Sequence, residues 1–244
     1  MFPPSTPLLK GHVQAFSYAL AWSSPCNSGR LDVTLPAPTL PIGIISSQPF
    51  AQTLKILTLT NRHLDISISL PLESEIDLLP SLEGLNMDGC GLHNTIPVSW
   101  QDIVSSSGVM TPSQLTEPLL PLLVKLFPNL QTLNLSDNAL TSTSLMTGAL
   151  SVLILASNDG STKTGLKHLR IHGNWLAELD GMQRLADIFK GNRMVLEWML
   201  KELDLWDNEI RRLPTGLGLL PLEVFLMDGN VWVLISLYCV AILT

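Results

Sequence analysis

The clearest hydrophobic pattern lies in residues 200–221, which read LKELDLWDNEIRRLPTGLGLLP. Leucine holds the first, fourth and sixth places, asparagine the ninth and isoleucine the eleventh. Because successive side chains of a strand point to opposite faces, Leu203 and Leu205 are predicted to point inward. Asn208 then falls where the chain turns, and its side-chain amide can bond backbone groups that the turn leaves unpaired. The segment therefore predicts one short strand followed by one turn.

The same pattern recurs along most of the chain. Its six copies start at Leu54, Leu82, Leu130, Leu166, Leu200 and Leu222. The copies from Leu130 and Leu166 match every place of the pattern, whereas Arg62 and Cys90 hold the asparagine place in the first and second copies. A small, weakly polar cysteine can be buried in such a turn. Six copies make a strong repeat signal, since a single match arises easily by chance.

This pattern resembles the leucine-rich repeat, and the resemblance covers about residues 54–232. The fifth copy is similar to the typical repeats of intracellular Ras-signalling scaffolds and related fungal proteins. The resemblance implies an α/β fold: a solenoid with a parallel β-sheet on its concave face and irregular or helical segments on its convex face. It also implies a scaffold or regulatory protein, acting for example on a small GTPase, a phosphatase or a ubiquitin ligase.

The copies are unevenly spaced, with starts separated by 28, 48, 36, 34 and 22 residues. The additional residues are expected on the convex side or at an edge, where they do not interrupt strand pairing. Residues 93–129 are predicted to be partly a surface loop. Residues 150–160 match the pattern weakly and start sixteen residues before the fourth copy, so they predict a short helix or strand on the back rather than a full coil.

Two of the intervening segments have helical patterns. Residues 119–127 predict a short buried helix that ends at Pro128. Residues 180–199 place apolar side chains at helical spacing, and Gly191 with its neighbour predicts an interruption. This segment therefore predicts two short helices.

The repeat domain is predicted to span residues 51–232, between two ends that lack the pattern. Residues 1–50 are rich in proline and serine and predict an irregular leader or an incomplete cap. Within them, residues 36–49 carry too many prolines for a helix or a central strand, whereas residues 31–35 alternate and can form one degenerate strand.

Residues 233–244 form an apolar tail, and no charged residue occurs from Val231 to the last residue. Three interpretations stay open for this segment. It can be a membrane anchor, although it is shorter than the roughly 20 residues that a spanning helix needs. It can be a strand or helix folded over the last coil, or the end of a truncated or misread gene product.

The composition restricts the class of partner and the compartment. The chain has 244 residues, a net charge of −7 and no basic run, which argues against nucleic-acid binding. Its three cysteines (Cys26, Cys90 and Cys239) are few and far apart, which favours a reducing compartment. The first residues lack the pattern of a signal peptide. We therefore expect a cytoplasmic protein, with the nucleus as the alternative.

The third, fifth, seventh and eighth places of each copy are predicted to lie on the concave face. In the fourth and fifth copies these places form the candidate partner-binding set: His168, Arg170, His172, Glu202, Asp204, Trp206 and Asp207. Tryptophan and arginine are favoured anchors of protein interfaces. The alternative is that Trp206 packs on His172 and Asp228 and only fills the groove. Arg170 is expected to pair with Asp204, because matched residues of adjacent coils lie roughly 5 Å apart.

The sequence gives little support for metal binding or catalysis. His168 and His172 would lie about 13 Å apart on a strand, too far for one metal ion to bind both. Asp204 and Asp207 would lie at an open groove where water reaches them, and no nucleophile or phosphate-binding motif is present. We therefore predict a monomeric, non-enzymatic module without a cofactor that binds a protein partner. The alternatives are a membrane-tethered repeat protein and a non-functional fragment of a longer one.

Overall fold

The computed structural model describes residues 29–33, 40–60, 66–71, 78–101, 115–145, 148–157, 165–193 and 195–231. The apolar tail at residues 233–244, most of residues 1–50 and residues 102–114 of the predicted surface loop lie outside the described residues.

The described chain consists of short strands with short helices between some of them. The strands are β1 (Arg30–Val33), β2 (Ile56–Leu59), β3 (Ile68–Pro71), β4 (Gly84–Asn86), β5 (Thr95–Gln101), β6 (Leu115–Pro118), β7 (Thr132–Asn134), β8 (Leu155–Ser157), β9 (His168–Arg170), β10 (Leu196–Trp198), β11 (Glu202–Asp204) and β12 (Val224–Leu226). The α-helices are α1 (Ile42–Ser46), α2 (Leu119–Leu126), α3 (Ser142–Leu145), α4 (Ala149–Ile154) and α5 (Asp180–Gly191). Two 3₁₀ turns lie at Ala51–Thr53 and Leu217–Leu219.

A parallel sheet organises the fold. Within the described residues it has seven strands in the order β1-β2-β4-β7-β9-β11-β12, and every neighbouring pair is parallel. The fourth-place leucines are aligned across it, so that Leu133 lies opposite Leu169 and Leu169 opposite Leu203. These leucines are buried, and each coil stacks its apolar side chains on the next. The predicted α/β solenoid with a parallel sheet is confirmed.

In the amino-terminal part of the sheet, one prediction from the sequence is confirmed and one is wrong. The alternating residues 31–35 contribute to β1, which pairs with β2. The prediction that prolines exclude a helix from residues 36–49 is wrong, because α1 forms there. Pro41 precedes the helix and Pro49 follows it, so neither must donate a hydrogen bond inside it. Burial of Ile42 and Ile45 then holds this short helix against the first coils.

Buried asparagines tie each coil to the one before it, as predicted for Asn208. They are Asn138, Asn174 and Asn208, and the half-buried Asn230 takes the same ninth place in the sixth copy. The amide nitrogen of Asn174 lies 3.0 to 3.1 Å from three backbone carbonyl oxygens, and its Oδ1 accepts the N–H of Leu140 at 2.9 Å. One side chain thus satisfies groups of two adjacent coils.

Cys90 takes the asparagine place in the second copy, and the prediction that it can be buried there is confirmed. Its side chain is fully buried, and Sγ lies 3.0 Å from the carbonyl oxygen of Leu59 in the preceding coil. Burial, together with the nearby charge of Asp88, raises the pKa of the Cys90 thiol to about 12. The residue is therefore a neutral structural thiol.

The inserts between coils contain several of the short helices that the sequence predicts. Helix α2 confirms the helix expected at residues 119–127, and α4 followed by β8 confirms the short back element expected from residue 150. Helix α5 confirms the first helix expected within residues 180–199.

The second helix predicted after Gly191 is wrong, because the chain there forms β10. The Asn192 amide donates to the carbonyl oxygen of Ile188 at the end of α5, and the chain then pairs antiparallel with β8. Residues 93–129, predicted to be partly a surface loop, also contain the strands β5 and β6. These strands form a three-stranded sheet with β3.

Candidate partner-binding face

The candidate face lies on β9, β11 and the turns that follow them. The sheet register sets Glu202 opposite His168 and Asp204 opposite Arg170, and β12 flanks the other side of β11. The seven candidate residues therefore come from adjacent coils, as their places in the repeat predict. Their individual contacts divide them into side chains that hold the face together and side chains that remain accessible.

Glu202 is the centre of one ionic group. Its carboxylate accepts a hydrogen bond from Arg170 Nε at 2.8 Å and lies 3.0 Å from His168 Nδ1. The Glu202 side chain is only 16% exposed. The hydrogen bond from Arg170 lowers the pKa of Glu202, burial opposes this effect, and the contact with His168 adds to it. Glu202 therefore fixes Arg170 and His168 side by side.

Asp204 organises a second group and does not pair with Arg170 as the sequence predicted. Asp204 is 6% exposed; its Oδ1 accepts the N–H of Trp206 and its Oδ2 lies 3.0 Å from His172 Nδ1. Both carboxylate oxygens thus have partners within the face, and the ion-pair partner of Arg170 is Glu202. Asp204 acts as a buried support for the residues around it.

Trp206 is the largest accessible side chain of the set. It is 52% exposed, and its ring centroid lies 5.9 Å from that of His172, with the ring planes tilted by 55°. The contact with His172 matches the predicted packing, yet half of the residue surface stays open to solvent. Trp206 is thus supported on one side and available on the other.

His172 links the face to the preceding coil. Ser136 Oγ lies 3.0 Å from its Nδ1, and the Asp137 carboxylate lies 3.9 Å from its Nε2. The sequence argument assigned neither residue a role, although both occupy concave places of the third copy. Over the described residues, no three His, Cys, Asp or Glu side chains converge in a way that could hold a metal ion.

Four aspartates form what we call the acidic edge, where the strands end: Asp88, Asp137, Asp207 and Asp228. Asp207 and Asp228 are exposed, and no ion pair involves either carboxylate among the described residues. Burial raises the pKa of Asp88, and the charge of Asp137 together with a hydrogen bond between the two side chains acts in the same direction. The candidate set contained only one member of this edge, Asp207.

The residue at the eighth place of each copy determines how closely neighbouring turns pack at the acidic edge. Asp137 and Asp207 adopt left-handed backbone conformations with φ of 53°, and Gly89, Gly173 and Gly229 occupy the same place in other coils with φ of 63°, 62° and 72°. A Cβ atom at Gly173 would collide with the Asp137 carboxylate, whereas one at Gly89 would meet open space. Glycine and aspartate thus alternate so that each aspartate can lie over a glycine.

Comparison with known proteins points to one family. A family model described as Leucine Rich Repeat matches residues 129–148. No curated protein matches the chain. Among the described residues, no helix has the length and apolar character required to cross a membrane.

Two solved structures are similar to the chain. The Arabidopsis receptor kinase HAESA, in complex with the peptide hormone IDA and the co-receptor SERK1, is 19% identical with a TM-score of 0.49, covering 91% of this chain and 33% of that one. A leucine-rich repeat protein of Leptospira interrogans is 19% identical with a TM-score of 0.43, covering 84% of this chain and 50% of that one. The chain therefore spans a third to a half of the length of these two proteins.

The match to the family model falls on the third copy, which fits every place of the pattern. The same copy supplies β7 and the buried Asn138, whose amide bonds three carbonyl oxygens and whose Oδ1 accepts the N–H of Leu92. The match therefore identifies residues 129–148 as a leucine-rich repeat, and the parallel sheet and the recurring turn asparagines extend the same arrangement to the neighbouring coils.

Proposed function

We propose that the chain is a non-enzymatic protein-interaction module that binds a partner protein on its concave face, in a scaffold or regulatory role. The contact set is the one predicted from sequence: His168, Arg170, His172, Glu202, Asp204, Trp206 and Asp207. Within it, Trp206, Arg170 and Asp207 are the direct contacts, while Glu202 and Asp204 hold their neighbours in position.

The exposed Trp206 is the observation that carries this proposal. A tryptophan that projects from a regular sheet and is fixed by a ring contact offers a large apolar area to a partner. The ionic groups around Glu202 and Asp204 fix the flanking side chains before a partner arrives. Such a pre-formed surface loses little conformational entropy on binding.

The test compares protein partners captured by the wild type and by a Trp206→Ala, Arg170→Glu double variant in a pull-down or proximity-labelling experiment. Trp175→Ala is the matched control, because Trp175 is also exposed but lies beyond the turn of its coil, outside the sheet. All variants must give the circular dichroism spectrum of the wild type. We expect specific partners to be lost with the double variant and kept with the control.

Retention of the same partners by the double variant would contradict the proposal. It would leave Trp206 as a residue that packs on His172 and fills the groove. Loss of the partners with both variants would indicate a general effect on folding, and the concave face would lose its support as the binding surface.

We also propose a cytoplasmic location, which the few and widely separated cysteines favour. Alkaline carbonate extraction of a membrane fraction tests the membrane-tethered alternative. We expect the protein in the supernatant, and recovery in the membrane pellet would favour an anchor.

A further inference from the structure

The concave sheet is apolar at its carboxyl-terminal end. Val224 and Leu226 on β12 are 42% and 47% exposed, and they lie opposite Glu202 and Asp204 in the sheet register. Trp206, which is 52% exposed, lies two residues after the end of β11, at a concave place of the neighbouring coil. Three large apolar side chains on adjacent coils thus share one open face, which we call the apolar end. Contiguous apolar surface of this kind marks contact sites on proteins.

The charge around the apolar end is negative and not compensated. Over the last three copies, the concave places hold one arginine, Arg170, against four carboxylates, a net charge of −3 with both histidines neutral. Glu202 neutralises Arg170 at 2.8 Å. Asp207 and Asp228, which have no ion-pair partner among the described residues, lie on the turns beside Trp206.

The opposite edge of the sheet has a different charge pattern. Where the strands begin, Lys55 pairs with Glu83 at 3.1 Å and Lys201 pairs with Glu223 at 2.7 Å. Lysine and glutamate side chains of neighbouring coils therefore neutralise each other in these two pairs. At the acidic edge, by contrast, Asp207 and Asp228 have no ion-pair partner among the described residues and can attract a partner of opposite charge.

Building on the proposed function, we propose that the apolar end and the acidic edge together bind a basic segment of the partner protein, with an aliphatic side chain next to a lysine or arginine. The cation would lie between Asp207 and Asp228 and over the indole of Trp206, where carboxylates and the aromatic face both favour it. The aliphatic side chain would pack on Leu226 and Val224. An acidic segment would meet the same carboxylates as like charges, which disfavours it.

A displayed library of random peptides of about 12 residues tests this specificity on the full chain, since a segment of that length can cross several coils at their roughly 5 Å spacing. The immobilised wild type is expected to enrich peptides with an excess of lysine and arginine next to aliphatic residues. Asp207→Asn with Asp228→Asn is expected to reduce that enrichment about tenfold, since charge complementarity selects the partner. Asparagine tolerates the left-handed conformation of Asp207, so the fold is retained.

Glu83→Gln with Glu223→Gln is the matched control, because it removes the same charge from the opposite edge. It is expected to leave the enrichment unchanged. Equal losses of peptide enrichment in the two double variants would show that net charge alone causes the effect. That result would overturn the proposal. Enrichment of neutral or acidic peptides would also overturn it, as would no enrichment at all.

Trp206→Ala separates this inference from the proposed function. If neutral or acidic peptides are enriched by the wild type and lost with Trp206→Ala, the concave face binds partners but the basic specificity is wrong. If the enriched peptides are retained by every variant, both the specificity and the concave site are wrong.

Discussion

At the scale of single residues, the turn asparagines connect neighbouring coils through buried hydrogen bonds. Asn138, Asn174 and Asn208 are each buried and each bond two successive coils. Their places follow directly from the sequence, because each holds the ninth place of its copy, where the chain turns. A residue that loses this amide leaves several backbone groups unsatisfied in the core.

Replacement of Asn174 by alanine is therefore expected to destabilise the protein by about 1–3 kcal/mol, the desolvation penalty for buried groups left without partners. Urea denaturation followed by circular dichroism measures the change. Asn192→Ala serves as the control, because Asn192 is exposed and bonds a single carbonyl oxygen at the end of α5. A loss at Asn174 no larger than that at Asn192 would mean that the assigned turn register is incorrect.

Two carboxylates of the concave face predict opposite responses to pH. Burial and Asp137 raise the pKa of Asp88, so its contribution to stability is present at low pH and is lost as pH rises through its folded-state pKa. Arg170 lowers the pKa of Glu202, so its contribution is present at neutral pH and is lost as pH falls through its folded-state pKa.

Asp88→Asn is accordingly expected to stabilise the protein near pH 7, with the gain shrinking toward about pH 4. Glu202→Gln is expected to destabilise it near pH 7, with the loss also shrinking as pH falls. Melting temperatures of both variants and the wild type across this range provide the measurement. If the two variants shift stability in the same direction at neutral pH, the assigned environments are wrong for at least one of them.

At the scale of elements, the strands and turns of the coils follow from sequence more closely than the inserts do. The leucine spacing predicts the sheet strands because each strand buries its own leucines. Strand β10 could not be predicted in this way, because it forms by pairing with β8, about forty residues earlier in the chain. The ion pair of Arg170 escaped prediction because it runs diagonally across the register, to Glu202 rather than to Asp204 directly opposite.

The packing of one turn on the next gives a prediction at this scale. Gly173→Ala and Gly89→Ala both place a side chain in the left-handed region, which costs about 1–2 kcal/mol. Gly173→Ala must also displace the Asp137 carboxylate, whereas Gly89 has open space. Gly173→Ala is therefore expected to destabilise the protein more than Gly89→Ala in the same denaturation assay.

Asp137→Ala supplies the control for that difference. In this background the obstructing carboxylate is absent, so the penalty of Gly173→Ala should fall to that of Gly89→Ala. An unchanged penalty at Gly173 would show that the two turns do not pack as described.

At the scale of the whole molecule, the repeated coils form one sheet whose two edges differ in charge. One edge of the sheet carries lysine–glutamate pairs, and the acidic edge carries Asp207 and Asp228, which have no ion-pair partner among the described residues. The apolar end lies at the last described strands. The sequence predicts which residues share the concave face, because their places in the repeat are fixed. It does not predict which of them are accessible, since Asp204 is buried and Trp206 is half exposed although both hold concave places of the same coil.

Site-specific photocrosslinking in cells tests the central claim most directly, namely that the concave face contacts a protein partner. Benzoylphenylalanine is placed at position 206 in one variant and at position 175 in a second, and crosslinked products are compared by mass after irradiation. We expect a discrete protein adduct from position 206 and none of the same mass from position 175. Adducts of equal yield from both positions, or none from position 206, would contradict a partner-binding concave face.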